Sequence, residues 1–176
     1  IPAGSSNTDY WAYYGNPSAP APLANASKVF DFFDNFNDGV IDALWQQTST
    51  WTESGGTITP TSGGDRPILL LQMTFSNATV EARFRPSAPG NQGGIVLRAS
   101  DANNFYDYMI ETSDRTRIYK RQGGSFTALA TNSGLTLPIA FYNATFSAYN
   151  SNLTGVLNGN YAYTSVADTT FTSGYV

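Results

Sequence analysis

The sequence predicts an all-β fold, a sandwich of two antiparallel sheets, on three observations. Thr79-Val-Glu-Ala-Arg-Phe-Arg85 alternates without a break, with Val80, Ala82 and Phe84 on one face and Glu81, Arg83 and Arg85 on the other. A period of two is the mark of a strand with one dry and one wet face. Further strand-like runs follow at short, even spacing with Asp, Asn, Ser and Gly turns between them, which suits a sandwich or barrel rather than βαβ units. Helical periodicity is weak throughout.

Taken in chain order, the first 27 residues differ from the rest. Asp9-Tyr-Trp-Ala-Tyr-Tyr-Gly-Asn16 is an aromatic strand-like run, and Pro17, Pro20 and Pro22 among Ser and Ala predict an extended linker after it. Gly39-Val-Ile-Asp-Ala-Leu-Trp45 predicts a turn of helix at most, with Trp45 as a plug at one end of the core. After the Thr79 strand, strands are expected at Gly94 to Ser100, Phe105 to Glu111, Thr116 to Arg121, Ser125 to Ala130, Ile139 to Tyr149, Gly155 to Leu157 and Tyr161 to Val166, with a turn at Asn158-Gly159. Gly90-Asn-Gln-Gly-Gly94 and Gly123-Gly124 do not match a phosphate loop and are read as hairpin turns.

Composition narrows the class. The 176 residues suit one domain of ordinary size, large enough to bury a core without staples. Charged residues make up only 12%, and Ser and Thr together outnumber them, a pattern of secreted and surface β-proteins. A net charge of −4 would repel a phosphate backbone, which argues against a nucleic-acid partner. The absence of cysteine removes disulfides, thiol catalysis and Cys-ligated zinc, and favours a prokaryotic surface protein. The absence of histidine removes Ser-His-Asp hydrolysis and the commonest general base. No apolar run is long enough to span a membrane. Ile1-Pro-Ala-Gly4 does not resemble a translation start, so the chain is expected to be a piece of something longer.

Two resemblances follow from particular segments. Gly93-Gly-Ile-Val-Leu-Arg-Ala-Ser-Asp-Ala-Asn-Asn-Phe-Tyr-Asp-Tyr108, with Arg117-Ile-Tyr-Lys120 and Val156-Leu-Asn-Gly159 in order, resembles the concanavalin A-like (laminin-G-like) sandwich modules over residues 28–176. That resemblance implies a jelly-roll β-sandwich of two antiparallel sheets. In such modules a segment like Ser173-Gly-Tyr-Val176 leads into a closing strand, so the resemblance also implies that this strand is lacking here. Tyr13-Tyr-Gly-Asn-Pro-Ser-Ala19 and Val29-Phe-Asp-Phe-Phe-Asp-Asn-Phe36 resemble the end of a domain of unknown function found in surface proteins (DUF2341-like). The expected organisation is therefore a strand remnant and linker over 1–27 and the sandwich over 28–176. Sandwiches of this kind serve as lectins, glycan-binding modules, glycosidases, adhesins and spacers, so fold alone does not choose among them.

Candidate chemistry can be weighed residue by residue. The glucanase relatives of the fold carry Glu-x-Asp-x-Glu, which does not occur in this sequence. Asp107 and Glu111 share a strand face but lie about 13 Å apart at 3.3 Å per residue, beyond the ~5 to 9.5 Å of glycosidase pairs. Glu81 is expected to ion-pair with Arg83, Arg85 or Arg98. Asp31, Asp34 and Asp38, with Asn35 and Asn37, form an oxygen-rich run that suits a structural calcium ion or, equally, turn chemistry. The run fails the EF-hand template, and no cofactor is required. Glycan recognition needs aromatic faces and planar hydrogen-bonding groups. Arg98, Asn104, Tyr106, Asp107, Tyr108, Arg117 and Tyr119 are the candidates, with Trp51 a further aromatic, and packing within the sheets is their alternative use. Asn25, Asn77, Asn143 and Asn152 open N-x-Ser/Thr sequons that would carry glycan in a secreted chain.

These readings converge on a noncatalytic extracellular or cell-surface module for adhesion or glycan recognition, with glycans as partners. The alternative is a structural subunit of a filament or surface layer. There the open edge would take a strand from a neighbouring copy, with Tyr10 to Tyr14 as donor.

Overall fold

The computed structural model describes residues 29–62, 66–112, 114–159 and 162–176. The chain divides into two units, Ile1–Asn35 and Phe36–Val176. The expected Tyr10–Tyr14 strand, the Pro-rich linker and Asn25 lie outside the described residues. In the first unit the rings of Phe30 and Phe33 stack, with centroids 5.9 Å apart.

The second unit is all-β, and no helix occurs among the described residues. Its strands are β1 Trp45–Gln47, β2 Thr50–Ser54, β3 Thr57–Ser62, β4 Leu69–Leu71, β5 Ala78–Phe84, β6 Gln92–Asp101, β7 Asn104–Glu111, β8 Arg115–Gln122, β9 Ser125–Asn132, β10 Tyr142–Tyr149, β11 Asn152–Leu157 and β12 Ala162–Ala167. They form two antiparallel sheets of four strands, in the orders β12-β11-β10-β5 and β6-β7-β8-β9, and two short pairs, β1-β4 and β2-β3.

The predicted alternation sets which side chains face inward. On β10, Tyr142, Ala144, Phe146 and Ala148 are buried, and on β11 Leu153 and Leu157 are. They pack with Leu97, Tyr106, Tyr108, Ile110 and Ile118 from the other sheet in one core. Val80, Ala82 and Phe84 complete its edge, as the Thr79–Arg85 pattern requires. A side chain such as Leu97 or Phe146, fully buried, contributes roughly 1.5–3 kcal/mol. Gly155 makes this packing possible, because a Cβ at that position would overlap the Tyr108 ring.

Turn chemistry follows the sequence at two places. Gly123 and Gly124, with φ of 57° and 83°, form the two-residue loop of the β8–β9 hairpin. Asn158 and Gly159 take φ of 45° and 76° after β11, and the Asn158 carboxamide oxygen accepts from the Asn143 amide at 3.0 Å.

Several expectations are corrected. Gly93 and Gly94 lie within β6 rather than in a turn, and a Cβ on Gly94 would collide with the Tyr108 carbonyl oxygen and meet Asp107 Oδ1 at 2.6 Å. Trp45 opens β1, half-buried, with its ring 6.1 Å from that of Phe36. The short strands β1 to β4 have no counterpart among the strands expected from sequence. Arg98 makes no ion pair with Glu81. It is 4% exposed and donates to backbone carbonyls, Nε and Nη2 to Ser76 at 3.0 and 2.6 Å, Nη2 to Asn150 at 2.7 Å and Nη1 to Phe171 at 3.0 Å. The Ser173-Gly-Tyr-Val176 segment is itself paired. Gly174 bridges Phe75, Tyr175 bridges Ala99, and the Val176 carbonyl accepts from the Leu71 amide at 2.6 Å.

β7 is buried on both sides over seven of its eight residues. Its even-numbered residues face the main core. Phe105, on the opposite face, packs with Ile68, Leu70 and Ala99 in a second, smaller core edged by Val96, Phe126 and Tyr175. The outer face of this sheet is thus partly roofed by the residues before β4.

Two substitutions test this packing. Gly155→Ala is expected to destabilise the fold by about 2–3 kcal/mol, read as a lower urea midpoint at constant m; an unchanged midpoint would mean that the Tyr108 ring does not rest on β11. Arg98→Met leaves three carbonyls without their donor and is expected to cost about 3 kcal/mol or more by the same measurement.

Candidate functional site

The outer face of the β6–β9 sheet gathers most of the chain's unusual chemistry. β7 presents Phe105, Asp107, Met109 and Glu111 there, and β8 sets Arg121, Tyr119, Arg117 and Arg115 directly opposite them. Val96 lies across from Asp107 on β6, and Phe126 across from Arg121 on β9. One strand alternating Arg-x-Arg-x-Tyr-x-Arg therefore faces one carrying two carboxyls.

Phe126 is the base of the site. Its ring meets Phe105 and Tyr119 edge-on, at 6.1 and 5.8 Å between centroids. The guanidinium carbons of Arg66 and Arg121 stand 4.1 and 4.9 Å from its centroid. Arg121 is fixed by donating Nη1 to the Ala102 carbonyl at 2.8 Å and Nε to that of Gly124 at 3.3 Å. Glu111, 6% exposed, accepts from Arg117 Nη1 at 3.1 Å and from the Tyr119 hydroxyl at 3.2 Å, and Arg115 Nε stands 3.7 Å from its second oxygen. Arg117 Nη1 also donates to the Tyr119 hydroxyl.

Asp107 is different. It is 5% exposed and lies against Gly94. Burial pushes its carboxyl up to about 7, with Arg66 opposing the shift and Glu111 adding to it. Two guanidinium nitrogens of the same face, Arg66 Nη1 and Arg117 Nε, are buried without a partner among the described residues. An unmet buried polar group costs on the order of 1–3 kcal/mol, and a charged one more. Here two such groups occur on one face with an aromatic floor, equipment for hydrogen-bonding a polar ligand.

The sequence-predicted residues separate accordingly. Asp107, Arg117 and Tyr119 are brought together here. Tyr106 and Tyr108 are fully buried in the core and offer no ring face to solvent. The Tyr106 hydroxyl donates to Asp168 Oδ1 at 2.5 Å and accepts from the Phe171 amide at 3.0 Å. Arg98 serves backbone carbonyls, as above. Asn104 opens β7 next to the β6–β7 turn, where its Nδ2 donates to both Asp101 oxygens at 3.0 Å. Trp51 is half-buried in β2, with Nε1 buried and without a partner among the described residues.

Among the described residues no group of three or more acidic side chains stands together as a metal site. The Asp38 carboxylate instead accepts from the Val40 amide at 3.0 Å, a local turn contact. Asn77, Asn143 and Asn152 are solvent-exposed at the other four-stranded sheet. Sequence reasoning missed Arg66, Phe126, Arg115 and Arg121. The Arg-x-Arg-x-Tyr-x-Arg stripe carried a signal for the last two, but nothing local marked Arg66.

The family described as a domain of unknown function, DUF2341, matches residues 1–54. None of the curated proteins matches the chain. Among solved structures it is similar to the carbohydrate-binding module CBM66 from Bacillus subtilis, at 19% identity and a TM-score of 0.66, over 75% of this chain and 84% of that one. The likeness shows the fold, a β-sandwich, in agreement with the two four-stranded sheets.

Asp107 sets a pH dependence of stability. Its folded pKa lies above the unfolded value, so the folded state binds the extra proton and stability falls as pH rises from about 4 to about 7. Asp107→Asn is expected to flatten that part of the profile and to be the more stable protein at pH 8 by a few kcal/mol, since each tenfold gain in proton affinity on folding corresponds to ~1.4 kcal/mol. Parallel profiles for the two proteins would show that the carboxyl is not desolvated.

Proposed function

We propose that the sandwich, taken from residue 28 onward, is a noncatalytic glycan-recognition module of an extracellular or cell-surface protein, and that the face around Asp107 is its binding site. The observation that carries the reading is the pair of guanidinium nitrogens, Arg66 Nη1 and Arg117 Nε, buried on the Asp107 face without a partner among the described residues. Guanidinium donors and a desolvated carboxyl on one face, among aromatic side chains, supply hydrogen-bonding groups for the hydroxyls of a sugar. The likeness in fold to a carbohydrate-binding module supports the same reading. The segment resemblances support a concanavalin A-like assignment and a surface location, with residues 1–27 as the remnant of an upstream domain.

Binding without catalysis suits the acids present. Asp107 and Glu111 are separated by four residues of one strand, about 13 Å, and Glu111 already accepts from Arg117 and Tyr119. The exposed sequon residues Asn77, Asn143 and Asn152 fit attached glycan on the opposite sheet, away from the proposed site.

A sugar that binds the native state raises the melting temperature by mass action. Across a glycan panel at least one saccharide is expected to do so. Asp107→Ala and Arg66→Ala should each weaken that binding at least tenfold, while Tyr163→Ala on the opposite sheet leaves it unchanged. Binding that ignores both substitutions would move the site elsewhere, and a panel with no response would remove the glycan reading.

A further inference from the structure

We propose that the sugar taken by this face carries a carboxylate, as a uronic acid does, with the anion held by Arg66 and Arg117. The inference rests on the glycan reading and deepens it.

Hydrogen-bond donors and acceptors are unequally used on this face. Glu111 is spent as an acceptor, since Arg117 Nη1 and the Tyr119 hydroxyl reach one of its oxygens at 3.1 and 3.2 Å and Arg115 stands by the other. Asp114 is engaged by Arg115 Nε at 2.7 Å. The groups left without a partner among the described residues are Arg66 Nη1 and Arg117 Nε, both donors. The groups facing Asp107 are Arg66 from the residues before β4, Glu111 on its own strand, Tyr119 opposite on β8 and the apolar Val96 on β6. Desolvated by burial, Asp107 holds its proton up to near-neutral pH and is then a donor as well. A face that offers donors while its carboxylates are engaged or protonated selects an acceptor-rich ligand. A carboxylate, with about four lone-pair sites and no hydrogen to place, fits it better than a hydroxyl, which brings a donor of its own.

Charge agrees. The chain carries 9 Lys and Arg against 13 Asp and Glu, yet Arg66, Arg115, Arg117 and Arg121 collect at this face. Against them stand Glu111, Asp114 and a carboxyl that burial keeps largely protonated below about 7. A locally cationic surface on an acidic protein steers an anionic sugar to one place and repels it from the rest.

The test is calorimetric titration of the whole chain with matched oligosaccharides, galacturonides against galactosides and glucuronides against glucosides, at pH 6 and pH 8 and at low and high salt. One uronide is expected to bind at least tenfold more tightly than its neutral counterpart. Its binding should weaken several-fold from pH 6 to pH 8 as Asp107 ionises, and should weaken again with added salt. Arg66→Gln and Arg117→Gln should abolish the preference, and Asp107→Asn should remove the pH dependence while binding persists. A neutral sugar that binds as tightly and is lost in Asp107→Ala would overturn the acidic-sugar inference and leave the glycan reading standing. Failure of uronides and neutral sugars alike would overturn both.

Discussion

The sandwich is closed by one buried guanidinium. Arg98 sits in β6 with φ of 54°, inside the register irregularity between Leu97 and Asp101. That irregularity turns its side chain toward segments distant in sequence. Its nitrogens then satisfy carbonyls before β5, at the β10–β11 turn and in the C-terminal segment at Phe171. Each carbonyl lies where a strand has ended and no ladder partner remains, the places where a buried polar group is hardest to satisfy. A flexible lysine with three donors could not span three directions with planar geometry, whereas the guanidinium fork can. The neighbouring Ala99 exchanges hydrogen bonds with Tyr175, so the same bulge secures the last residues of the chain.

Asp168 performs a related task. Desolvation would raise its carboxyl, but hydrogen bonds from Thr170, Tyr106 and Lys120 prevail and hold it well below the usual carboxylate range. Tyr106, a core residue of β7, thus reaches through its hydroxyl to the segment after β12. Both polar anchors are fully engaged. The half-buried Asp168 is held ionised by hydrogen bonds, whereas burial dominates at Asp107 and pushes its carboxyl up.

Much of the fold was legible because alternation is a local property. From β5 to β12 every predicted strand exists, and the Gly123-Gly124 and Asn158-Gly159 turns fall where their φ angles require. The site was legible only in part, for reasons of long range. Sequence identifies Tyr106 and Tyr108 as strand aromatics, but only the second sheet determines that their face is the interior. Arg98 reads as an exposed cation because a bulge that changes its direction has no local signature. Gly93-Gly94 reads as a turn because nothing local says that Asp107 and the Tyr108 carbonyl occupy the space above it. Arg66 precedes a proline after a Gly-Gly-Asp run, and its place over Phe126 depends on chain pairing roughly 60 residues away.

The two outer faces differ in how their polar groups are met. On the β5 to β12 sheet, Thr79, Ser147, Thr154 and Ser165 form a row of registered hydroxyls across four strands, with Thr79 bonded to Ser147 at 2.9 Å. On that face the polar groups, among them the exposed Glu81, Arg83 and Arg85, stand open to solvent. The β6 to β9 sheet is roofed beside Phe105 and retains two buried guanidinium nitrogens with no partner among the described residues. Apolar residues at those positions would give a more stable sheet, since desolvated polar groups without partners are a standing cost. Such a cost on an otherwise well-satisfied scaffold follows if the missing partners arrive with a ligand. Preorganised groups that cannot relax toward water lose little on binding and gain the bonds that the folded protein alone lacks.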